Sequence, residues 1–202
     1  MLLQSGYLDT SDSTDKIKKE LRQKLESAFS GMMGALFKQD GASLKIEILS
    51  EPEVRSFIDA HAAVLDSSFV ETEMSELMRA RLMESDWIFS GMKTFHELNE
   101  AFPSLLDEKG KRKSFEDFLK DVQSIDETYN VNYLNAEYNF AQASAEMAGK
   151  WEGFEKDGDD YYLQYRTAGD DKVRPEHASL NRITLPASDS FWDSYYPPNG
   201  WN

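Results

Sequence analysis

The stretch "NVNYLNAEYNFAQASAEMAGKWEGFEKDGDDYYLQYRT", Asn130 to Thr167, holds the point at which the chain changes character. From about Val131 to Phe154, Leu134, Tyr138, Ala141, Ala145 and Ala148 recur at helical spacing, and the small residues among them let a neighbouring helix approach closely. "EKDGDD", Glu155 to Asp160, ends that pattern with charge and glycine. Directly after it, "YYLQYRT" reads as a short strand. The break sets the expected fold class, α+β. A mainly helical body fills residues 1–156, and a small, mixed, turn-rich module with short strands fills 157–202 and packs on the last long helix.

Upstream of the break, Phe115, Phe118, Leu119, Val122 and Ile125 form one apolar stripe, and Ser114 with Asp117 has the spacing of a capping box. Asp107 to Lys113 forms a charged turn around Gly110. "TFHELNEAF" reads as a short helix that stops before Pro103. A separate helix starts at about Glu71, with Met74, Leu77, Met78, Leu82, Ile88 and Phe89 on one side. Pro52 suits the first turn of a helix that carries Val54, Phe57, Ile58 and Leu65. "LKIEIL", residues 44–49, alternates Leu44, Ile46 and Ile48 against charge and reads as a short half-buried strand. The first helix is capped by Ser13 or Thr14 and buries Ile17, Leu21, Leu25 and either Phe29 or Ala28, while Gly31 and Gly34 weaken its continuation toward Phe37. Downstream, Pro175 starts a short helical turn, "RITLP" is a second short strand, and "SDSFWDSYYPPNGWN" is an aromatic, turn-rich tail.

Charge narrows the function classes. The formal net charge of the 202 residues is −15, and such a chain repels a phosphate backbone except where positive charge is locally clustered. The one clear cluster is "KGKRK", Lys109 to Lys113, so DNA is a disfavoured partner and a basic protein face a better one. No apolar run approaches the ~20 residues of a membrane span, and the start lacks the basic region of a signal peptide. The reading is a soluble cytoplasmic protein with no membrane partner. Cysteine is absent, which removes disulfides and thiolate chemistry. His61, His96 and His177 lie far apart, and "DGDD" at Asp157 to Asp160 lacks the order of a calcium loop, so no metal or other cofactor is expected.

The densest polar constellation is "YRTAGDDKVRPEHASL", Tyr165 to Leu180. Two arginines, Arg166 and Arg174, stand near Asp170 and Asp171, and Gly169 allows a tight turn between them. Pro175 holds Arg174 extended, and one helical turn then brings His177 and Leu180 back toward the strand. One reading is a polar clamp that fixes an irregular segment, closed by arginine–aspartate pairs. The other makes His177 a general acid or base, with Arg166 or Arg174 stabilising a developing anion, as in a hydrolase or nuclease. No second histidine, activated nucleophile or phosphate-cradling glycine loop accompanies it, so the clamp is the favoured reading.

These residues resemble the C-terminal signature of the phage Mu F-like head morphogenesis family of minor head or minor capsid proteins. The first block matches at Tyr165, Arg166, Thr167, Gly169, Asp170, Val173, Arg174, Pro175, His177 and Leu180. The second matches at Phe191, Trp192, Pro197, Pro198, Asn199, Gly200 and Trp201. The region from Ser114 to Trp151 is similar to the helical lead-in of relatives from Bacteroides-type phages and prophages. Two departures stand out. The family has Asp-Gly where this chain has Asn181-Arg182, and it continues past Gly-Trp into a Cys-Arg-Cys run that would begin after Asn202, as in a truncated form. The resemblance implies a non-enzymatic role in virion assembly, with the portal protein or procapsid as partner and a part in DNA packaging or delivery. It places the chain in the host cytoplasm during assembly and then in the virion. It brings no catalytic set, so the signature residues are expected to form a clamp or a partner-binding surface. The alternatives are a hydrolase centred on His177 with Arg166 and Arg174, and a DNA-binding accessory that uses Lys109 to Lys113 and the aromatic tail.

Overall fold

A computed structural model of the chain describes residues 10–40, 42–157 and 160–196, with the side chains of residues 10–18 and 157 excepted. Ile17 and the capping side chains proposed at Ser13 and Thr14 therefore lie outside the described residues, as do Gly158, Asp159, Pro197, Pro198, Asn199, Gly200 and Trp201. The architecture is mainly helical α+β, with six α-helices before the first strand among the described residues.

Helix α1 (Thr10–Phe37) begins ahead of Ser13 and runs through Gly31 and Gly34 without a break. Its Leu25, Phe29, Met32, Met33 and Leu36 are buried. The contacts they make outweigh the ~1 kcal/mol by which each glycine weakens a helix. Gly34 lies against the Phe115 ring, 3.8 Å from where a Cβ would stand. Helix α2 (Pro52–Asp66) has proline in its first turn and buries Val54, Phe57 and Ile58 in the core it shares with α1, while its buried Leu65 lies beside Leu82, Phe89 and Phe140. A fully buried side chain of this size is worth about 1.5–3 kcal/mol relative to exposure.

Between these helices the sequence predicts a strand over residues 44–49. The structure has a 3₁₀ helix there, Ile46–Ser50. A strand of that alternation would bury Leu44, Ile46 and Ile48 together, but Ile48 is buried while Ile46 is 63% exposed. No described strand lies beside the segment to pair with it, and one buried isoleucine is what a single 3₁₀ turn can supply.

The two helices expected between Glu71 and Phe102 are one. Helix α3 (Glu76–Ala101) starts at Ser75, whose hydroxyl accepts a hydrogen bond from the Met78 N–H, and residues 71–75 form the turn before it. Gly91 sits inside α3 in open space. Leu77 and Ile88, expected in the apolar stripe, are 62% and 50% exposed. After α3 the chain makes a 3₁₀ turn over Phe102–Leu105, then a narrow turn around Gly110, whose φ is +74°. The Asp107 carboxylate accepts from the Lys109 and Lys111 N–H groups and holds that turn closed.

Helix α4 (Phe115–Asp121) is capped by Ser114, which accepts from the Asp117 N–H and donates to its carboxylate. Helix α5 (Gln123–Asp126) leads into a π-helical stretch, Glu127–Asn132, and then into α6 (Leu134–Asp157). Phe118, Val122, Ile125 and Leu134 join the core formed by α1 and α2. Beyond α6, β1 (Tyr162–Gln164) and β2 (Thr184–Pro186) pair antiparallel, with Leu163 opposite Leu185. Two short helices, α7 (Pro175–Ser179) and α8 (Phe191–Tyr195), flank β2 in sequence. Tyr196 ties this end to α6: its hydroxyl donates to the Met147 carbonyl at 3.0 Å, and its ring meets Trp151 edge-on at 4.6 Å.

Candidate functional site

Tyr165 continues β1 by one residue. Its N–H donates to the Ile183 carbonyl and its carbonyl accepts from the Arg182 N–H, both at 2.8 Å. This double bond fixes the ring, which is only 6% exposed. From there the chain turns through Gly169, at φ +77°, and the Asp170 carboxylate accepts the Lys172 N–H at 3.1 Å. Arg174 is extended, and Pro175 then opens α7 with no N–H to lose. The single helical turn carries His177 back over Tyr165, with ring centroids 6.2 Å apart.

The contact that results is a three-member chain. Tyr165 Oη lies 2.6 Å from His177 Nδ1, and Arg174 Nη2 lies 2.8 Å from His177 Nε2. A guanidinium can only donate, so Nε2 accepts and the ring proton sits on Nδ1, where it is donated to Tyr165 Oη. Both imidazole nitrogens are engaged. Glu176 stands 3.8 Å from Arg174 Nε and balances its charge at a largely exposed position. The sequence reading closed this loop with arginine–aspartate pairs. In the structure Arg174 meets His177 and Glu176, Asp170 serves the local turn, and Arg166 donates to Gln164 Oε1 at 3.2 Å. Arg166 is thus not brought to His177. An arginine two places along a strand from Gln164 shares its face, a period that outranks proximity in sequence.

The other described signature residues also make contacts within this end of the chain. The Thr167 N–H donates to Asn181 Oδ1 at 3.3 Å, and Leu180 and Val173 are half-buried. Trp192 is 3% exposed and donates its indole N–H to the Pro186 carbonyl at 2.9 Å. Phe191 meets Trp192 edge-on at 4.9 Å and Tyr165 edge-on at 6.2 Å, and stacks on Tyr195 at 4.6 Å. These geometries are the favourable ones for aromatic rings. They give a module with few aliphatic residues its interior.

The basic run Lys109–Lys113 is partly committed. The Arg112 guanidinium donates to the Phe37 and Gln39 carbonyls and pairs with Asp40, and it lies over the Phe37 ring at 5.0 Å. Lys113 pairs with Asp121 at 2.6 Å. Arg112 is therefore a staple between the α1 end and the turn, which leaves little clustered charge for a phosphate backbone.

A second polar constellation, absent from the sequence reading, lies inside the helical body. Lys93 Nζ donates to Glu137 Oε2 at 2.8 Å and to the Tyr129 carbonyl at 2.8 Å, and lies 2.9 Å from His61 Nε2, which itself lies 2.9 Å from Glu137 Oε2. Ser90 Oγ donates to the Asp86 carbonyl and lies 2.8 Å from His61 Nδ1, which completes the imidazole's bonding. Burial raises the Glu137 carboxyl, but hydrogen bonds from His61 and the Lys93 charge outweigh it and hold it below the usual range. Burial keeps His61 below its ordinary value. One turn further along α3, Glu97 is fully buried beside Asn130, which donates to it at 3.0 Å, and desolvation pushes its carboxyl up to about 8. Asp66 and Asp86, hydrogen-bonded to each other, are pushed up by burial to about 6 and about 7. This network cross-braces α2, α3, α6 and the π-helical stretch. Among the described residues no three His, Asp or Glu side chains converge as metal ligands do, and no helix is long and apolar enough to cross a membrane.

A helical scaffold bearing a compact aromatic module, pinned by a Tyr–His–Arg chain, is the class of protein that fold and site define. Residues 108–202 match the model of the family described as Phage Mu protein F like protein. It is 34% identical over 99 residues to the "Putative capsid assembly protein F" of Escherichia phage Mu, a match that takes in 48% of this chain and 20% of that protein. The chain thus aligns with about a fifth of the length of that curated relative. No solved structure matches.

Proposed function

We propose that the chain is a head morphogenesis protein, a minor capsid component that takes no part in chemical catalysis and acts by docking on the portal or the procapsid. The observation that carries this reading is the use made of the signature. Tyr165, Arg174 and His177 are bonded to one another, so the residues the family model matches are occupied in holding shape. With Nε2 occupied by a guanidinium, His177 has no free lone pair to accept a proton from a substrate. The name of the phage Mu relative, a putative capsid assembly protein, supports the same reading. The strongly acidic surface favours a protein partner over DNA, and a place at the portal would link the chain to DNA packaging or delivery. Its location would be the host cytoplasm during assembly and the virion afterwards.

The test is co-expression with the portal and major capsid proteins encoded beside it, followed by gradient sedimentation. The expected result is that a fixed fraction of the chain travels with procapsids. A chain that stays at the top of the gradient while procapsids form normally would overturn the reading.

A further inference from the structure

Between α6 and the β1 end of the hairpin lies a slot of about 280 Å³. Its apolar walls come from Met147 and Phe154 on α6, Leu163 on β1, and Trp192 and Tyr196 at the chain's aromatic end. Lys150 of α6 and Arg166, two residues past the end of β1, also line it. Trp192 and Tyr196 are already fixed by hydrogen bonds to the Pro186 and Met147 carbonyls, so the walls are preformed. The volume is near the lower limit for ligand pockets, which suits one or two side chains better than a cofactor.

The charges point to the occupant. The chain carries 37 acidic residues against 22 basic ones, so a cation has many carboxylates within reach. Lys38, Lys93, Arg112, Lys113, Lys120 and Arg174 have an acidic partner, while other exposed cations such as Arg81 and Lys111 have none among the described residues. Neither Lys150 nor Arg166 forms a salt bridge among the described residues, and both are exposed at the slot. Arg166 is steadied by Gln164 Oε1 and presents its remaining N–H groups outward, a fork suited to a carboxylate. An apolar slot flanked by two unpaired cations fits an anionic group next to an aromatic or aliphatic one.

We propose that this slot receives an extended, acidic and aromatic segment of a partner protein, with a carboxylate between Lys150 and Arg166 and an apolar side chain against Trp192 and Tyr196. The proposal rests on the assembly reading above and names the chemistry of its partner's contact. It also gives Arg166 and Trp192 a shared task that the Tyr165–His177–Arg174 chain does not require.

The experiment is an amide and indole NMR titration of the whole chain with two synthetic peptides, acetyl-Phe-Glu-Phe-Glu-amide and acetyl-Phe-Gln-Phe-Gln-amide. The expected result is saturable shifts at the Trp192 indole and the Arg166 amide, with the glutamate peptide bound about tenfold tighter. The Lys150→Gln/Arg166→Gln double variant should keep the rest of its spectrum and lose that preference. Equal binding of both peptides, no shifts up to millimolar peptide, or shifts produced by dTMP but not by the peptides would overturn the proposal. The double variant is also run in the procapsid gradient. If it still travels with procapsids and the peptides fail to bind, the slot falls and the assembly reading stands. If the glutamate peptide binds the slot and the unaltered chain never travels with procapsids, the assembly reading falls instead.

Discussion

Arg182 has a φ of +74°, the left-handed region that costs a side-chain-bearing residue ~1–2 kcal/mol and a glycine almost nothing. It stands where the Mu F-like signature has the glycine of Asp-Gly, so the departure noticed in the sequence is a strained position in the fold. Its N–H still donates to the Tyr165 carbonyl, a bond glycine would keep. Arg182→Gly should therefore raise stability by about 1 kcal/mol in urea unfolding; no change or a loss would mean the left-handed conformation is not strained there. His177→Ala removes both bonds of the Tyr–His–Arg chain and should lower stability by about 1–3 kcal/mol. An unchanged unfolding midpoint would show that the chain does not hold the module. In the body, Glu97 titrates near 8 when folded, against 4.5 as a free side chain. A carboxyl raised in this way stabilises below its unfolded value and loses that contribution as pH climbs to its folded one. Asp66 and Asp86 act in the same direction, near 6 and 7. His61 acts oppositely, because burial lowers it and its cost arises only as pH falls below 6.5. Above that value the carboxyls act alone, so stability should fall from about pH 6.5 to about pH 8, and Glu97→Gln should flatten the fall. A profile identical in the variant would refute the assignment. The Lys93 network was not legible in the sequence for a plain reason. Its partners lie 32 and 44 residues from Lys93, and His61 lies 76 from Glu137, distances that no local pattern encodes.

At the scale of elements, α6 does two jobs. Its N-terminal half carries Glu137 into the core, and its C-terminal half clips the start of α3. Glu152 accepts from the Ser75 N–H at 2.7 Å and from the Ser75 hydroxyl, the same hydroxyl that caps α3. Gly149 permits this approach, since a Cβ there would collide with the Glu73 carbonyl oxygen. Gly149→Ala should cost about 1–3 kcal/mol. Gly153→Ala, one turn on in open space, should gain about 0.5–1 kcal/mol from helix propensity. Urea unfolding of the pair checks both signs, and equal effects would remove the close-packing argument. Helix periodicity made α1, α2, α4 and α6 readable, because their buried residues recur every three or four positions. It misled at residues 44–49, where alternation had no sheet to serve, and at α3, where exposed Leu77 and Ile88 looked like core. Sequence also placed β1 and β2 near their observed bounds, from the glycine and charge at the break and the apolar pair in "RITLP".

For the whole molecule, the helical body and the aromatic module meet along α6, through Tyr196 on Met147 and Trp151 and through the slot that Lys150 and Arg166 flank. A small preformed module on a helical scaffold is the form that the proposed docking role calls for, and the engaged nitrogens of His177 agree with it. The signature made the module's resemblance legible before its geometry, while the way its side chains pair emerged only from the fold: Arg174, not Arg166, meets the histidine. The most direct measurement is native mass spectrometry of the chain co-purified with the portal protein it is proposed to dock on. The account predicts a defined complex with a fixed number of copies per portal ring. A purified, folded chain that gives only its own mass beside an intact portal ring would contradict it.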